Sequence, residues 1–195
     1  VKDALLTNTD VLNLELSKSG TALTAGSITA ANVETININV ADAVTLGSAA
    51  VTHTATLQAT SATSIVVSGN NGLTLTNTGN TKVTTFDASG VVANNTATTT
   101  DTADKLAVTF TSGNATTTAN VTIKGGAGND VLTGNAAIDT ITGGAGNDTL
   151  AGAAGADIIN VGEGRDAILI NSFNTVGTDS GTASFDTING FKLAS

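Results

Sequence analysis

GGAGNDVLT (125–133), GNAAIDTIT (134–142), GGAGNDTLA (143–151), GAAGADIIN (152–160) and VGEGRDAIL (161–169) follow one another without a break. The sixth position is aspartate in every unit: Asp130, Asp139, Asp148, Asp157 and Asp166. The eighth is always aliphatic (Leu132, Ile141, Leu150, Ile159, Ile168), and Ile123 extends that ladder one unit upstream. Glycine at positions one, two and four lets the chain turn through positive φ and brings backbone carbonyls together. The three residues after the aspartate then form a short strand whose middle side chain points inward. Two turn–strand units make one coil of 18 residues, and parallel strands of successive coils stack about 4.8 Å apart. The period therefore predicts that Asp130, Asp148 and Asp166 share one edge, with Asp139 and Asp157 on the other. It also predicts that Ile123, Ile141 and Ile159 line one sheet and face Leu132, Leu150 and Ile168 on the second.

Oxygen ligands at that spacing suit Ca2+, whose bonds to oxygen run about 2.3–2.6 Å and which accepts carboxylates and carbonyls together. The competing reading is a metal-free solenoid turn held by Asn and Asp hydrogen bonds. A carboxylate column about 5 Å apart repels itself, however, and Arg165 is the only cation inside the five units. Calcium is the expected occupant. The candidate ligands are the five aspartates with the loop residues Gly125, Gly126, Gly128, Asn129, Gly143, Gly144, Gly146, Asn147, Gly155, Gly162 and Gly164. The first and third units are complete. The second has Asn135, Ala137 and Ile138 at loop positions, the fourth has Ala153 and Ala156, and the fifth opens with Val161. The Asp130/Asp148 pair is accordingly expected to be the best site, and the edge formed by the second and fourth units the weakest.

The 195-residue chain as a whole has no Cys, Met, Pro, Trp or Tyr and only five Phe. Threonine makes up about one residue in five, and β-branched residues suit pleated surfaces. Without cysteine there are no disulfides or thiolate metal sites. A net charge of −9 argues against nucleic acid and anionic membrane as partners and for divalent cations. No apolar run is long enough to span a bilayer, so direct membrane insertion is not expected. The start at Val1, with no leader, and the abrupt end at Ser195 suggest a piece of a longer protein.

Upstream, alternating runs at Leu12/Leu14/Leu16, Ile36/Ile38/Val40, Val44/Leu46, Ala55/Leu57/Ala59, Ile65/Val67, Leu73/Leu75 and Leu106/Val108/Phe110 read as strands. Asp10-Val-Leu-Asn-Leu14 and Glu34-Thr-Ile-Asn-Ile38 echo each other 24 residues apart. An asparagine repeated at one solenoid position can build a hydrogen-bonded ladder. A many-stranded sandwich fits the same spacing, but a thin solenoid needs no large aromatic core and is the preferred reading. No helix is required. The expected fold is all-β: an irregular β-solenoid (1–113) leading into a parallel β-roll (114–170), then a loop and short C-terminal capping strand (171–195). Asn94–Asp104 and Asn171–Ser184 read as polar loops.

Catalytic constellations are missing. His53, the one histidine, reads as a surface strand residue, and no HExxH or GxSxG motif occurs. No enzyme activity is expected.

The GGAGNDVLT and GGAGNDTLA units resemble the RTX family, exported by type I secretion, whose nonapeptide binds calcium. Asn32–Ile38 (NVETINI) and Lys82–Gly90 (KVTTFDASG), set in Thr/Ala/Gly-rich strands, resemble Gram-negative surface-layer (S-layer) proteins. Phe185-Asp-Thr-Ile-Asn-Gly-Phe191 is similar to the Asp-x-Ile-x-Asp-Phe run that leads into the RTX secretion region, with Asn189 replacing the second aspartate and Gly190 inserted before Phe191. The resemblance implies a secreted, extracellular, calcium-dependent structural protein on the cell surface that self-associates into a lattice. An extender or tail of an RTX adhesin, or the non-catalytic RTX tail of a secreted hydrolase, are the alternatives. Ice binding by such an adhesin calls for a regular outward Thr/Asn ladder. The fifth loop positions Asn129, Ile138, Asn147, Ala156 and Arg165 form none, so that reading is set aside.

Overall fold

The computed structural model describes residues 10–18, 20–41, 49–94, 101–114, 116, 118–170 and 185–191. Alternating apolar residues punctuated by Gly, Asn and Ser yield the strands upstream of the repeats. These are β1 (Val11–Glu15), β2 (Thr24–Thr29), β3 (Thr35–Val40), β4 (Thr52–Gln58), β5 (Ser64–Gly69), β6 (Gly72–Asn77), β7 (Thr85–Val91) and β8 (Val108–Thr111). The repeats and their flanks supply β9 (Thr122–Lys124), β10 (Val131–Thr133), β11 (Thr140–Ala145), β12 (Thr149–Ala151), β13 (Ile158–Glu163), β14 (Ala167–Ile168) and β15 (Thr187–Asn189). Odd-numbered strands form one parallel sheet, in sequence order from β1 to β15, and even-numbered strands the other, from β2 to β14. Alternation between the two sheets with parallel neighbours is the topology of a two-sided solenoid.

The core is a double ladder between the sheets. Ile36, Ile65, Phe86, Ile123, Ile141 and Ile159 lie in register on the odd-numbered sheet, and all six are fully buried. Val108/Leu73 and Phe110/Leu132/Leu150 do the same opposite them. The 18-residue coil is thus borne out: Leu132 pairs with Leu150, and Ile123 with Ile141 and Ile159. Both sheets continue through the 113/114 position, since β8 pairs with β10 and β7 with β9.

The 24-residue echo is the β1/β3 register itself, with Leu12 beside Ile36 and Asn13 beside Asn37. Asn37 Nδ2 donates to Asn13 Oδ1 at 2.8 Å, and Asn189 repeats the bond to Asn160 at 2.9 Å.

Several expectations need correction. Leu106 does not begin a strand; a short helix α1 (Ala103–Leu106) turns it into the core, where it is 2% exposed, and the strand starts at Val108. Strands β2 and β7 carried no legible alternation, because their inward positions include the small Ala25 and Ala88 and the register shifts within each of them. His53 is fully buried, beside Leu73, and not at the surface. Its Nδ1 accepts the Leu23 N–H at 2.9 Å, and its Nε2 lies 3.3 Å from Asn71 Nδ2. A lone polar residue on an alternating strand can face inward when the backbone of the next coil supplies its partner. The Val44/Leu46 strand and the Asn171–Ser184 loop fall outside the described residues. The capping strand expected after Phe185 is β15, which pairs with β13.

No helix among the described residues is long and apolar enough to cross a membrane.

Candidate calcium sites

Each aspartate of the repeats is first a rung in a hydrogen-bonded ladder. On one edge Asp130 Oδ1 accepts the Val108 N–H (2.7 Å), Asp148 Oδ1 that of Asp130 (2.8 Å) and Asp166 Oδ1 that of Asp148 (3.0 Å). On the other edge Asp139 Oδ1 accepts from Val121 (2.7 Å) and Asp157 Oδ1 from Asp139 (2.8 Å). The stacking expected from the period is present on both edges, one coil apart. Asn129 and Asn147 form a parallel ladder beside it: Asn129 Oδ1 accepts the Asn147 N–H and Asn147 Oδ1 the Arg165 N–H.

The second carboxylate oxygen separates the loops into two kinds. In loops 125–130 and 134–139 it folds back on its own turn: Asp130 Oδ2 accepts the Gly126 N–H at 2.7 Å, and Asp139 Oδ2 the Asn135 N–H at 2.5 Å. In loops 143–148 and 152–157 it has no partner among the described residues: Asp148 Oδ2 and Asp157 Oδ2 are buried and unsatisfied. The backbone differs in the same way. Gly144 and Gly146 take φ of 117° and 126°, Ala153 and Gly155 80° and 130°, and Gly162 and Gly164 99° and 133°. Gly126 and Gly128 do not join them, although their loop has the complete glycine set.

The cause lies in what sits beneath. The first loop is sealed onto the irregular coil, with Ala127 N donating to Val91 O and Asn129 N to Ala103 O. A Cβ on Gly126 would strike Val91 O, and one on Gly128 the Leu106 carbonyl. Asn129 Nδ2 is further tied to Asp104. Loops 143–148, 152–157 and 161–166 rest instead on other nonapeptide loops and adopt the open turn.

In the open loops oxygens converge. A Cβ on Gly143 would meet both Val161 O and Asp148 Oδ2; on Gly144, Gly126 O; on Gly162, Gly144 O; on Gly164, Gly146 O. Gly152 and Gly134, outside the candidate set, are held to glycine in the same way, facing Asp157 Oδ2 and Asp139 Oδ2. Gly155 packs against Ala137 O.

The donor set is thus one carboxylate per loop plus carbonyls, and no group of three or more acidic or His side chains gathers among the described residues. That chemistry fits a hard cation able to use backbone oxygen. Burial raises the Asp130 pKa to about 7 despite hydrogen bonds from Val108 and Gly126, with the Asp148 charge adding to the rise. Burial likewise raises Asp148 and Asp157 to about 6, reinforced by the charges of Asp166 and Asp186 respectively. Asp139 is raised by the same desolvation. Buried carboxylates without a counter-charge are costly to ionise, and a divalent ion removes that cost.

Residues 116–139 and 133–168 match the family model of the RTX calcium-binding nonapeptide repeat. This segment is an RTX calcium-binding block. RTX nonapeptides bind calcium ions, so the block's cofactor is Ca2+. The match ends at residue 168 and leaves the first 115 residues uncovered. No curated protein matches the chain.

The candidate residues therefore fall into two groups. Asp148, Asp157, Asp166, Gly143, Gly144, Gly146, Asn147, Gly155, Gly162 and Gly164 stand in or against open loops. Asp130, Asp139, Gly125, Gly126, Gly128 and Asn129 stand in closed ones. Asp186 was missed by the periodic reading. Its Oδ1 accepts the Asp157 N–H at 3.0 Å, and the only sequence signal was its place two residues before an aliphatic, as in every repeat.

Proposed function

We propose that the chain is a non-enzymatic segment of a secreted, cell-surface S-layer subunit whose folding and lateral assembly depend on calcium held by the RTX block. Calcium is held foremost by Asp148 with Asp166 and the carbonyls of Gly144, Gly146 and Val161, where a free carboxylate oxygen meets an open turn. The bound ion supplies the positive charge that lets buried carboxylates stay ionised.

The observation that carries the assembly reading is the outer face of the even-numbered sheet. None of its strands contains a charged residue, in a chain of net charge −9. Thr24, Thr54 and Thr74 with Thr109 form one outward column, and Thr111 and Thr133 continue the next beside Thr56/Thr76. The opposite sheet carries Glu15, Asp87, Lys124 and Glu163. An uncharged, regular face can pack against a neighbouring molecule without burying unpaired charge. Electron microscopy of the protein with millimolar calcium, against EDTA, tests this. A two-dimensional array in calcium alone is expected; dispersed single particles in both conditions would overturn it.

The same threonine columns favour a second reading, a binding module of an RTX adhesin. The outward ladder absent from the loops is present on the strands, so an ice-shaping assay is the companion measurement. Faceted crystals without lattice formation would select this reading.

A further inference from the structure

The RTX period ends at residue 169, yet the carboxylate ladder does not. Ile188 lies beside Ile159 in the β13/β15 register. Asp186 precedes Ile188 by two residues, as Asp157 precedes Ile159 and Asp139 precedes Ile141. The coil that brings it there is longer, 29 residues against 18 for the Asp139–Asp157 step. Asp186 nonetheless makes the rung bond, accepting the Asp157 N–H at 3.0 Å, and Asn189 makes the outer one to Asn160.

Directly beneath is a group that the coil leaves unsatisfied. Asp157 is 1% exposed, and its Oδ2 has no hydrogen-bond partner among the described residues. Its loop is held open with an alanine in the left-handed region, Ala153 at φ 80°. The neighbour one coil down, Asp139, closes its Oδ2 on Asn135 instead. A buried, unpaired carboxylate oxygen costs folding free energy on the order of 1–3 kcal/mol or more, and here a second carboxylate stands above it. Neither aspartate forms a salt bridge among the described residues.

We propose that Asp157 and Asp186 form a calcium site at the end of the RTX block, outside the nonapeptide pattern, and that the ion fastens strand β15 as the cap of the odd-numbered sheet. Carboxylate oxygens one coil apart beside an open turn are hard ligands of the kind calcium takes. Metal binding and docking of the cap are then one event. The inference rests on calcium binding by the RTX block and is independent of the S-layer reading, so microscopy that shows no lattice leaves it standing.

A purely structural role for Asp186 requires only an acceptor for the Asp157 N–H, which an asparagine also provides. The test is therefore Asp186→Asn in the full chain, with calcium stoichiometry measured by equilibrium dialysis and amide exchange followed at β15 and at Ile159. The expected result is one calcium fewer than wild type. The calcium concentration needed to protect Thr187–Asn189 should also rise at least tenfold, with Ile159 still protected. A wild-type ion count in Asp186→Asn overturns the proposal, whether or not β15 protection changes. Asp186→Ala provides the contrast: it removes acceptor and charge together, so an ion lost in both variants is assigned to the charge.

Discussion

The irregular coils upstream and the RTX coils downstream build the same two sheets by different means. Along the odd-numbered sheet the steps between coils are 24, 29, 21 and 37 residues before the repeats, and then 18 and 18. The irregular part fills its interior with large groups, including Phe86 and Phe110 stacked with ring centroids 3.9 Å apart. It satisfies turn N–H groups with individual neutral or singly charged residues: His53 for Leu23, Asn71 for Val51, Asn80 for Ala59, Asp101 for Ala50 and Asn94. The RTX part has a core of aliphatics without rings, and it gives the bond between stacked loops at the sixth position to aspartate in every unit, with Asn129 and Asn147 as a second ladder. Polar ties that differ from coil to coil accumulate no like charge. A repeated aspartate does, and that is the physical reason to expect one region to stand without an ion and the other to need one.

Removing calcium should break the comparison most visibly. With EDTA, amides of β10–β14 should exchange freely while those of β3–β8 stay protected, and millimolar calcium should restore the former. Uniform protection in both conditions would show that the carboxylate column is tolerated without an ion.

A smaller effect sharpens the ranking within the RTX block. Asp148→Ala removes a free buried oxygen in an open loop and the acceptor for Asp130 N–H, whereas Asp139→Ala removes a carboxylate already closed on Asn135. Asp148→Ala should raise the calcium midpoint for folding by about tenfold or more, corresponding to at least about 1.4 kcal/mol. Asp139→Ala should shift it less, and Asp166→Ala should fall between. Equal shifts for Asp139 and Asp148 would erase the distinction between closed and open loops.

The smallest expected effect is on pH dependence without calcium. The folded carboxylates of Asp130, Asp148 and Asp157 titrate near 7, 6 and 6, above their ordinary value of 3.8. Between those limits the folded block binds more protons than the unfolded chain, so its stability falls as pH rises. Calcium-free RTX coils should accordingly be more ordered at pH 5 than at pH 7.5, while β3–β8 change little. Circular dichroism in EDTA at the two pH values checks the sign; greater order at pH 7.5 would contradict it.

Much was legible in advance because a strict period is a geometric instruction. Nine residues per turn–strand unit determine which aspartates stack, which aliphatics line which sheet, and that the ligand set is oxygen. The 24-residue echo likewise foretold a register and an asparagine ladder. What the period could not carry was context. The complete loop 125–130 is closed because Val91 and Leu106 press on it, and the poorer loop 152–157 is open because another repeat lies below. Asp186 joins the ladder across an aperiodic coil, His53 turns inward to meet Leu23, and threonines scattered through the chain align into one uncharged face. Sequence by itself determined the local turn, the strand phase and the ion's chemistry, since these depend on residues a few positions apart. Tertiary structure decided which loops open, which carboxylate oxygens remain free and what the outer face presents. Those depend on the neighbour one coil away, and outside the strict repeat the distance to that neighbour is written in no local pattern.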